Sequence, residues 1–185
     1  MISEPVATVD ALHVAIDASD FELFELAPRF AQDRAVLDAR WKALQAQVHP
    51  DQFAAEGPAA QRRAMQWAIR VNEAYRRLKD PLARAAYLCK LQGHAIDAET
   101  NTAMPAAFLM QQMAWREAFE EAGTPSRIEA LGAEVSARQR SLLDELTLLI
   151  DDRHDWPAAA AIVRALMFIA RLADDIDRRL DTLSP

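Results

Sequence analysis

Val48-His49-Pro50-Asp51-Gln52-Phe53 is the stretch that decides the fold, because it separates two segments that both have the pattern of an amphipathic helix. Proline fixes its own φ and biases the residue before it away from helical geometry, so the first helix should end at His49. The turn then presents two ionisable side chains, His49 and Asp51, to solvent. A tripeptide alone is a weak motif, and the flanking helices must decide its meaning.

The segment before the turn has apolar residues at helical spacing from Asp33 to Val48. The residues that share one face are Leu37, Trp41, Leu44 and Val48. The outer face carries Arg40 and Lys42, and Lys42 lies about two helical turns before His49, on the same side. This pattern predicts a helix that packs through its apolar stripe and presents basic side chains to solvent.

A second long helix is predicted after the turn, from Pro58, which suits a first helical turn, to about Lys79. Its apolar stripe consists of Ala68, Val71, Tyr75 and Leu78. Because the connection between the two long helices is short, we expect them to be antiparallel neighbours.

The composition favours an all-α fold. The 185 residues are 51% hydrophobic and include only four glycines, and the nine prolines fall mostly between the apolar-periodic segments. The single cysteine, Cys89, excludes an intramolecular disulfide and fits a reducing compartment. The N-terminal segment lacks the basic residues of a secretory or transit peptide, and no apolar run reaches membrane-spanning length. We therefore expect a cytoplasmic protein without a membrane partner.

The net charge of −7 is unevenly divided along the chain. Residues 1–92 contain 12 basic and 12 acidic side chains, whereas residues 93–185 contain 9 and 16. This division favours two domains with different partners. A nucleic-acid partner is not expected, because neither half is basic.

The remaining segments complete a two-domain organisation. A short helix is predicted around Phe21, with Ser19 or Asp20 as its N-cap, and another from Leu82 to Leu91. We expect a loose arm over residues 1–19, a first domain over 20–92, an aperiodic linker over 93–104 and a second domain over 105–185. The second domain is predicted to be an antiparallel three-helix bundle with helices over 105–121, 125–150 and 156–180.

Several linked stretches of the first domain form a more specific pattern than the tripeptide alone. They are Phe21-Glu22-Leu23-Phe24, His49-Pro50-Asp51, Asn72-Glu73-Ala74-Tyr75-Arg76-Arg77-Leu78-Lys79-Asp80-Pro81 and Arg84-Ala85-Ala86-Tyr87. Together they resemble the J-domain, the module that stimulates ATP hydrolysis by DnaK-type chaperones. The continuation through Gly93, followed by Ala107-Phe108-Leu109-Met110-Gln111-Gln112, extends the pattern. Residues 20–182 thus look like the narrower HscB family of iron-sulfur co-chaperones.

The resemblance implies that His49, Pro50 and Asp51 form the docking epitope for the ATPase of a DnaK- or HscA-type chaperone. The Asp would engage a basic residue of that partner. Arg40 and Lys42 are candidates for steering toward an acidic patch, since such charges mainly affect the encounter rate. Val48 and Gln52 stand where the family often has an aromatic residue and a lysine. The competing interpretation is an ordinary turn in which Asp51 caps whatever follows it.

The helix predicted from Pro105 to Glu121 has two apolar faces. Phe108, Trp115 and Phe119 fall together on one face and can supply the bundle core. The opposite face combines apolar and acidic residues, namely Leu109, Met110, Met113, Glu117, Glu120 and Glu121. Flexible Met side chains suit an adaptable binding surface, so this face predicts a partner with basic character. The alternative is a helix that is buried on both sides.

The last predicted helix contains one aromatic residue, Phe168, that could lie beside the Leu/Met face. Its core stripe consists of Ile162, Leu166, Ile169, Ala173, Ile176 and Leu180. Phe168 lies off that stripe and is either a scattered surface residue or a neighbour of the Leu/Met face. In the proteins that this chain resembles, the positions matching Leu109, Met110, Met113, Glu117, Glu121 and Phe168 bind the iron-sulfur scaffold IscU. Ala114 stands where a related pattern has an acidic residue.

The sequence leaves two other functions open. One is a J-domain co-chaperone that serves a different client, and the other is a small hydrolase or metal enzyme that uses His49 with Asp51, or the cluster from Asp151 to Asp155. That cluster is interpreted as a capped polar turn between helices, and Cys89 as a small core residue. No cofactor and no metal are expected, and the preferred interpretation is a non-enzymatic co-chaperone.

Overall fold

The computed structural model describes residues 17–96 and 106–183, which form helices and turns and contain no strand. The α-helices are α1 (Asp20–Leu23), α2 (Arg34–Gln47), α3 (Pro58–Lys79), α4 (Pro81–Leu91), α5 (Ala106–Glu121), α6 (Pro125–Thr147) and α7 (Trp156–Leu183). A 3-10 helix spans Pro50–Glu56, and π-helical turns span Leu148–Arg153. The predicted all-α fold is confirmed. Most of the predicted arm and of the predicted linker lies outside the described residues.

The chain divides into two compact units, Met1–Arg84 and Ala85–Pro185. The division falls inside α4, so this helix contributes residues to both units. The linker over 93–104 remains a prediction.

The first unit is built on the antiparallel pair α2 and α3. Asp33 caps α2 by accepting a hydrogen bond from the Ala35 amide at 2.8 Å, and α2 ends at Gln47, before the proline of the turn. Pro58 occupies the first turn of α3, which runs to Lys79 as predicted. Buried side chains line both helices where they meet, namely Leu37, Val48, Ala64, Val71, Ala74 and Leu78.

Helix α1 and Arg84 both contact the α2/α3 pair and stabilise it. Ser19 forms a capping box with Glu22 at the start of α1, and the buried carboxylate of Asp20 contacts α3. Arg84, which is also buried, donates through Nε to the carbonyl of Phe30 at 2.8 Å and through Nη1 to the carbonyl of Leu78. The loop between α1 and α2 is thereby fixed against the C-terminal end of α3.

The second unit contains the predicted three-helix bundle of α5, α6 and α7. The core lies mainly between α6 and α7, where Gly132 permits a close approach: a Cβ added there would lie 3.3 Å from Cγ2 of Ile176. Helix α5 is joined to α6 by Trp115, whose indole Nε1 donates to Glu134 at 2.7 Å. The guanidinium of Arg179 on α7 lies 5.6 Å from the ring centroid of Phe119 on α5.

The connection between α6 and α7 differs from the expectation that α6 ends at Ile150 and a turn covers Asp151 to Asp155. The helical backbone continues to Arg153 in wider π turns, and His154 closes it in the left-handed conformation with φ 54°. Asp155 then caps α7, because its carboxylate accepts a hydrogen bond from the Ala158 amide at 3.1 Å. The polar residues of this segment thus serve to end one helix and begin the next.

Helix α7 also corrects the expectation that no apolar run reaches membrane-spanning length. It has 28 residues, and one 18-residue window reaches a mean hydropathy of 1.5. Of that window, 44% is buried inside the protein. The buried residues of the window include Val163, Leu166, Ile169 and Leu172. Helix α7 thus uses part of its apolar surface in the core of the second unit.

Candidate protein interaction sites

Two buried side chains, one on each side of it in the sequence, anchor the His49-Pro50-Asp51 turn to the core of the first unit. Val48 and Phe53, which precede and follow the tripeptide, are each 1% exposed. Phe53 packs in a cluster with Ala60 and Ala64 at the start of α3, and Trp67 lies against that cluster. The predicted open turn is therefore a short 3-10 helix with an apolar anchor, which holds the tripeptide in a fixed place at the end of the α2/α3 pair.

A glycine ends this 3-10 helix. Gly57 has φ +91°, a conformation that side chains rarely adopt, and α3 begins at the next residue, Pro58. The direction of the chain into α3 thus depends on Gly57.

His49 and Asp51 are both directed to solvent. The Asp51 amide donates to Nδ1 of His49 at 3.3 Å, so His49 caps the 3-10 helix, and Nδ1 lies 3.6 Å from Oδ2 of Asp51. The two side chains are 56% and 89% exposed. General acid-base chemistry needs a pocket that holds a substrate against the reacting group, whereas both of these side chains are exposed to solvent. The arrangement fits a protein contact better than a catalytic site.

The two cations predicted beside the turn occupy different flanks of α2. Both Arg40 and Lys42 are exposed, but Arg40 forms an ion pair with Glu25, next to α1. Lys42 follows two residues later, about 200° further around the helix. The two side chains therefore do not form a single basic stripe.

Asn72 is a positioning residue that the sequence stripes did not identify. Its Oδ1 accepts hydrogen bonds from Trp41 Nε1 at 3.1 Å and from Gln45 Nε2 at 2.5 Å. Next to it, the Tyr75 ring stacks on Trp41 with a centroid separation of 4.6 Å. These contacts fix the register of α2 against α3, and through it the position of the turn. The signal in the sequence was that Asn72 opens the stretch that resembles the J-domain.

A hydrogen bond from Tyr75 to Asp38 reinforces the same contact. The hydroxyl donates to Oδ1 of Asp38 at 2.8 Å, and Arg34 Nε lies 2.7 Å from the same oxygen. The bond from Tyr75 lowers the pKa of Asp38 below its ordinary value, and the neighbouring Asp38 raises the pKa of the Tyr75 hydroxyl.

The second candidate surface is the outer face of α5. The side chains of Phe108 and Trp115 are 7% and 2% exposed, as predicted for the core face. Leu109, Met110 and Met113 are 42%, 73% and 72% exposed on the other face, so the prediction of two apolar faces is confirmed. The alternative prediction, that both faces of this helix are buried, is wrong. Exposed carboxylates border the apolar residues, namely Glu117, Glu120 and Glu121.

The structure shows how Phe168, the aromatic residue off the core stripe of α7, packs. Its side chain is half-buried, and its ring lies edge-on to Phe108 with a centroid separation of 6.1 Å. Phe168 therefore packs at the border of the bundle core, against the aromatic face of α5. It is therefore not a scattered surface residue, and its share in binding, as a neighbour of the Leu/Met face, remains a prediction.

The remaining candidate groups have structural roles. His154 Nδ1 lies 2.7 Å from the carbonyl of Ile150, and its ring stacks with Trp156. Cys89 is fully buried, and burial raises its pKa to about 11 despite the nearby Arg164 cation, so the prediction of a core cysteine is confirmed. Within residues 17–96 and 106–183, no three His, Cys, Asp or Glu side chains converge on a metal site.

Comparison with known proteins identifies the family. Residues 104–177 match the family model described as the HSCB C-terminal oligomerisation domain. The co-chaperone protein HscB homolog of Burkholderia multivorans is 51% identical over 173 residues, which cover 92% of this chain and 98% of that protein. The homolog of Burkholderia cenocepacia is 49% identical over the same lengths.

Solved structures give the same result. The chaperone HscB from Vibrio cholerae is 37% identical, with a TM-score of 0.77 over 90% of this chain and 99% of that chain. The human co-chaperone protein HscB is 26% identical, with a TM-score of 0.84 over 90% of this chain and 84% of that chain. These likenesses extend over both units and agree with the resemblance found in the sequence. The chain therefore belongs to the HscB family of co-chaperones.

Proposed function

We propose that this co-chaperone stimulates the ATPase of a DnaK- or HscA-type chaperone and delivers an IscU-type iron-sulfur scaffold to it. The observation that carries the proposal is that each of the two compact units has an exposed surface of its own. One is an anchored turn with an exposed carboxylate, and the other is an apolar helix face bordered by carboxylates. Two binding surfaces on one chain suit a protein that brings two others together.

The chaperone would dock on His49, Pro50 and Asp51. The 89% exposure of Asp51 supports a charge-assisted contact with a basic residue of the partner, because the carboxylate can be reached without unfolding the turn. Lys42 would steer the approach toward an acidic patch. Arg40 would contribute less to this steering, since Glu25 already neutralises its charge.

The scaffold would dock on the outer face of α5, with contacts from Leu109, Met110, Met113, Glu117 and Glu121. The exposure of three large apolar side chains within two helical turns supports this assignment, because burying them against a partner removes apolar surface from water. The neighbouring carboxylates favour a partner with basic side chains around an apolar centre. Phe168 would contribute through its support of Phe108 and at the border of the contact.

Such a protein would act without chemistry of its own. Holding the scaffold and the chaperone together raises the effective concentration of one near the other, which needs no catalytic residue and no cofactor in this chain. We place the protein in the cytoplasm, without a nucleic-acid or membrane partner.

The test is to measure ATP hydrolysis by the cognate chaperone with this chain, with the scaffold, and with both. We expect a stimulation by both proteins that exceeds the sum of the separate effects. Stimulation by this chain that the scaffold does not change would instead favour a J-domain co-chaperone for another client. No stimulation under any condition would refute the proposal.

A further inference from the structure

Two large apolar side chains are exposed on α3, outside both surfaces described above. Met65 is 57% exposed and Ile69 is 55% exposed, and they lie one helical turn apart. Adjacent apolar residues at this spacing form one continuous patch on a helix, unlike apolar residues that are scattered singly.

The register of α2 against α3 places this patch beside the turn. Asn72 of α3 accepts hydrogen bonds from Trp41 and Gln45 of α2, so these residues lie at one level of the antiparallel pair. Moving toward the N-terminus of α3 corresponds to moving toward the C-terminus of α2. Ile69 and Met65 are therefore progressively closer to the end of the pair that carries His49.

The direction around each helix places the patch on the same side as Lys42. Lys42 lies about 140° from the buried Leu37 around α2, and Met65 and Ile69 lie about 100° and 140° from the buried Ala64 around α3. In two antiparallel helices that face each other, equal angles of the same sign lie on one side of the pair. The contact from Gln45 to Asn72 is on that side. Lys42, Met65 and Ile69 thus lie on one side of the α2/α3 pair.

The charged side chains around the Met65/Ile69 patch are mainly basic, as Lys42 is. Arg62 and Arg76 are exposed on the same side of α3, and Glu73 is the acidic residue among them. The opposite flank of α3 differs, because Arg70 and Arg77 contact the buried Asp20 of α1 there. Helix α1 thus occupies one flank of the pair and leaves the other exposed.

We propose that Met65 and Ile69 extend the docking surface of the turn and bind an apolar patch bordered by carboxylates on the DnaK-type chaperone. This inference rests on the proposed function, because the same partner occupies both parts of the surface. Continuity with the turn and the basic border select this occupant: Asp51 provides the charged contact at the tip, and the Met65/Ile69 pair provides apolar area along the side of the pair.

The test is a titration of chaperone ATPase stimulation with the full chain carrying Met65→Ala and Ile69→Ala. The half-maximal concentration should rise on the order of tenfold, because part of the buried apolar surface is lost, while stimulation at saturation is unchanged. Val36→Ala is the matched control, since Val36 is 43% exposed on the opposite flank of α2 and should leave the titration unchanged. Both variants should unfold at the denaturant concentration of the wild type.

The outcomes separate this inference from the proposed function. A wild-type titration curve for the double variant, with Asp51→Asn still inactive, would overturn the inference alone. A wild type that does not stimulate the chaperone would overturn both. If the wild type dimerises at rising concentration and the double variant does not, the patch binds a second copy of the chain and the inference is wrong.

Discussion

The fully buried carboxylate of Asp20 lies 2.6 Å from the guanidinium of Arg70, and this ion pair joins the first turn of helix in the structure to α3. Arg77 contacts the other carboxylate oxygen, also at 2.6 Å. A buried charge is costly unless it is paired, so the position of α1 depends on both arginines.

Replacement of Asp20 by Ala should therefore destabilise the first unit. We expect a loss of about 2–3 kcal/mol in the free energy of unfolding, less than for a completely buried pair, because both arginines can reach water. Chemical denaturation followed by circular dichroism measures it.

The matched control for this prediction is Glu25→Ala, which removes the exposed ion pair with Arg40. Exposed pairs contribute little, so the loss should stay below about 1 kcal/mol. Equal losses in the two variants would contradict a special role for the buried carboxylate.

Helix limits that depend on neighbouring residues could be predicted from the sequence. Helix α3 begins at Pro58 and ends before Asp80-Pro81, because proline favours the first turn of a helix and disfavours its interior. The two faces of α5 followed in the same way from a spacing of about 100° per residue. The exposure of the His49-Pro50-Asp51 tripeptide could be predicted from the geometry that a proline imposes on the chain around it.

Contacts between distant residues could not be predicted in this way. Asp20 was expected only as a possible N-cap, whereas its partners lie 50 and 57 residues later in the chain. Phe168 lies off the stripe of its own helix, and only the position of Phe108 on α5 decides that it is half-buried. The anchoring of the turn by Phe53 is a contact of the same kind, made after the chain has folded back.

Asp51→Asn should abolish stimulation of the partner ATPase without destabilising the protein. The side chain is 89% exposed, so its only large contribution is the charge it presents to the partner. Steady-state ATP hydrolysis by the chaperone measures the loss. Glu56→Gln, an exposed neutralisation at the other end of the same 3-10 helix, is the matched control and should remain active. Full activity of Asp51→Asn would refute the docking role.

Met110→Ala combined with Met113→Ala should weaken scaffold binding by on the order of tenfold to a hundredfold, because two exposed apolar side chains leave the centre of the proposed contact. Isothermal titration calorimetry measures the affinity. Leu148→Ala, which truncates a 50% exposed side chain elsewhere in the same unit, is the control. Unaltered binding of the double Met variant would remove α5 from the interface.

Phe168 requires a separate experiment, because its ring packs on Phe108. Phe168→Ala should lower both scaffold affinity and the stability of the bundle, the latter by about 1–2 kcal/mol for a half-buried ring. Phe168→Leu keeps most of the apolar volume and should restore stability. If it also restores affinity, Phe168 acts by supporting α5; if affinity stays low, its ring contacts the scaffold directly.

Cys89 should give the second unit a stability that decreases at high pH. Burial raises its pKa from 9.0 to about 11, so the folded protein holds the thiol proton more tightly than the unfolded chain does. This contribution is fully present below about pH 9 and is lost as the pH rises toward about 11, with a total of about 2–3 kcal/mol.

Comparison of the wild type with Cys89→Ala isolates this effect, because the other groups that titrate in the same range are common to both proteins. The stability advantage of the wild type should shrink between about pH 8 and about pH 10.5, as measured by urea denaturation. At the lower pH, the native thiol should react with Ellman's reagent only at the rate of unfolding, and denaturant should make the reaction immediate. A rapid reaction of the native protein would mean that Cys89 is accessible, and the cause assigned to its raised pKa would be wrong.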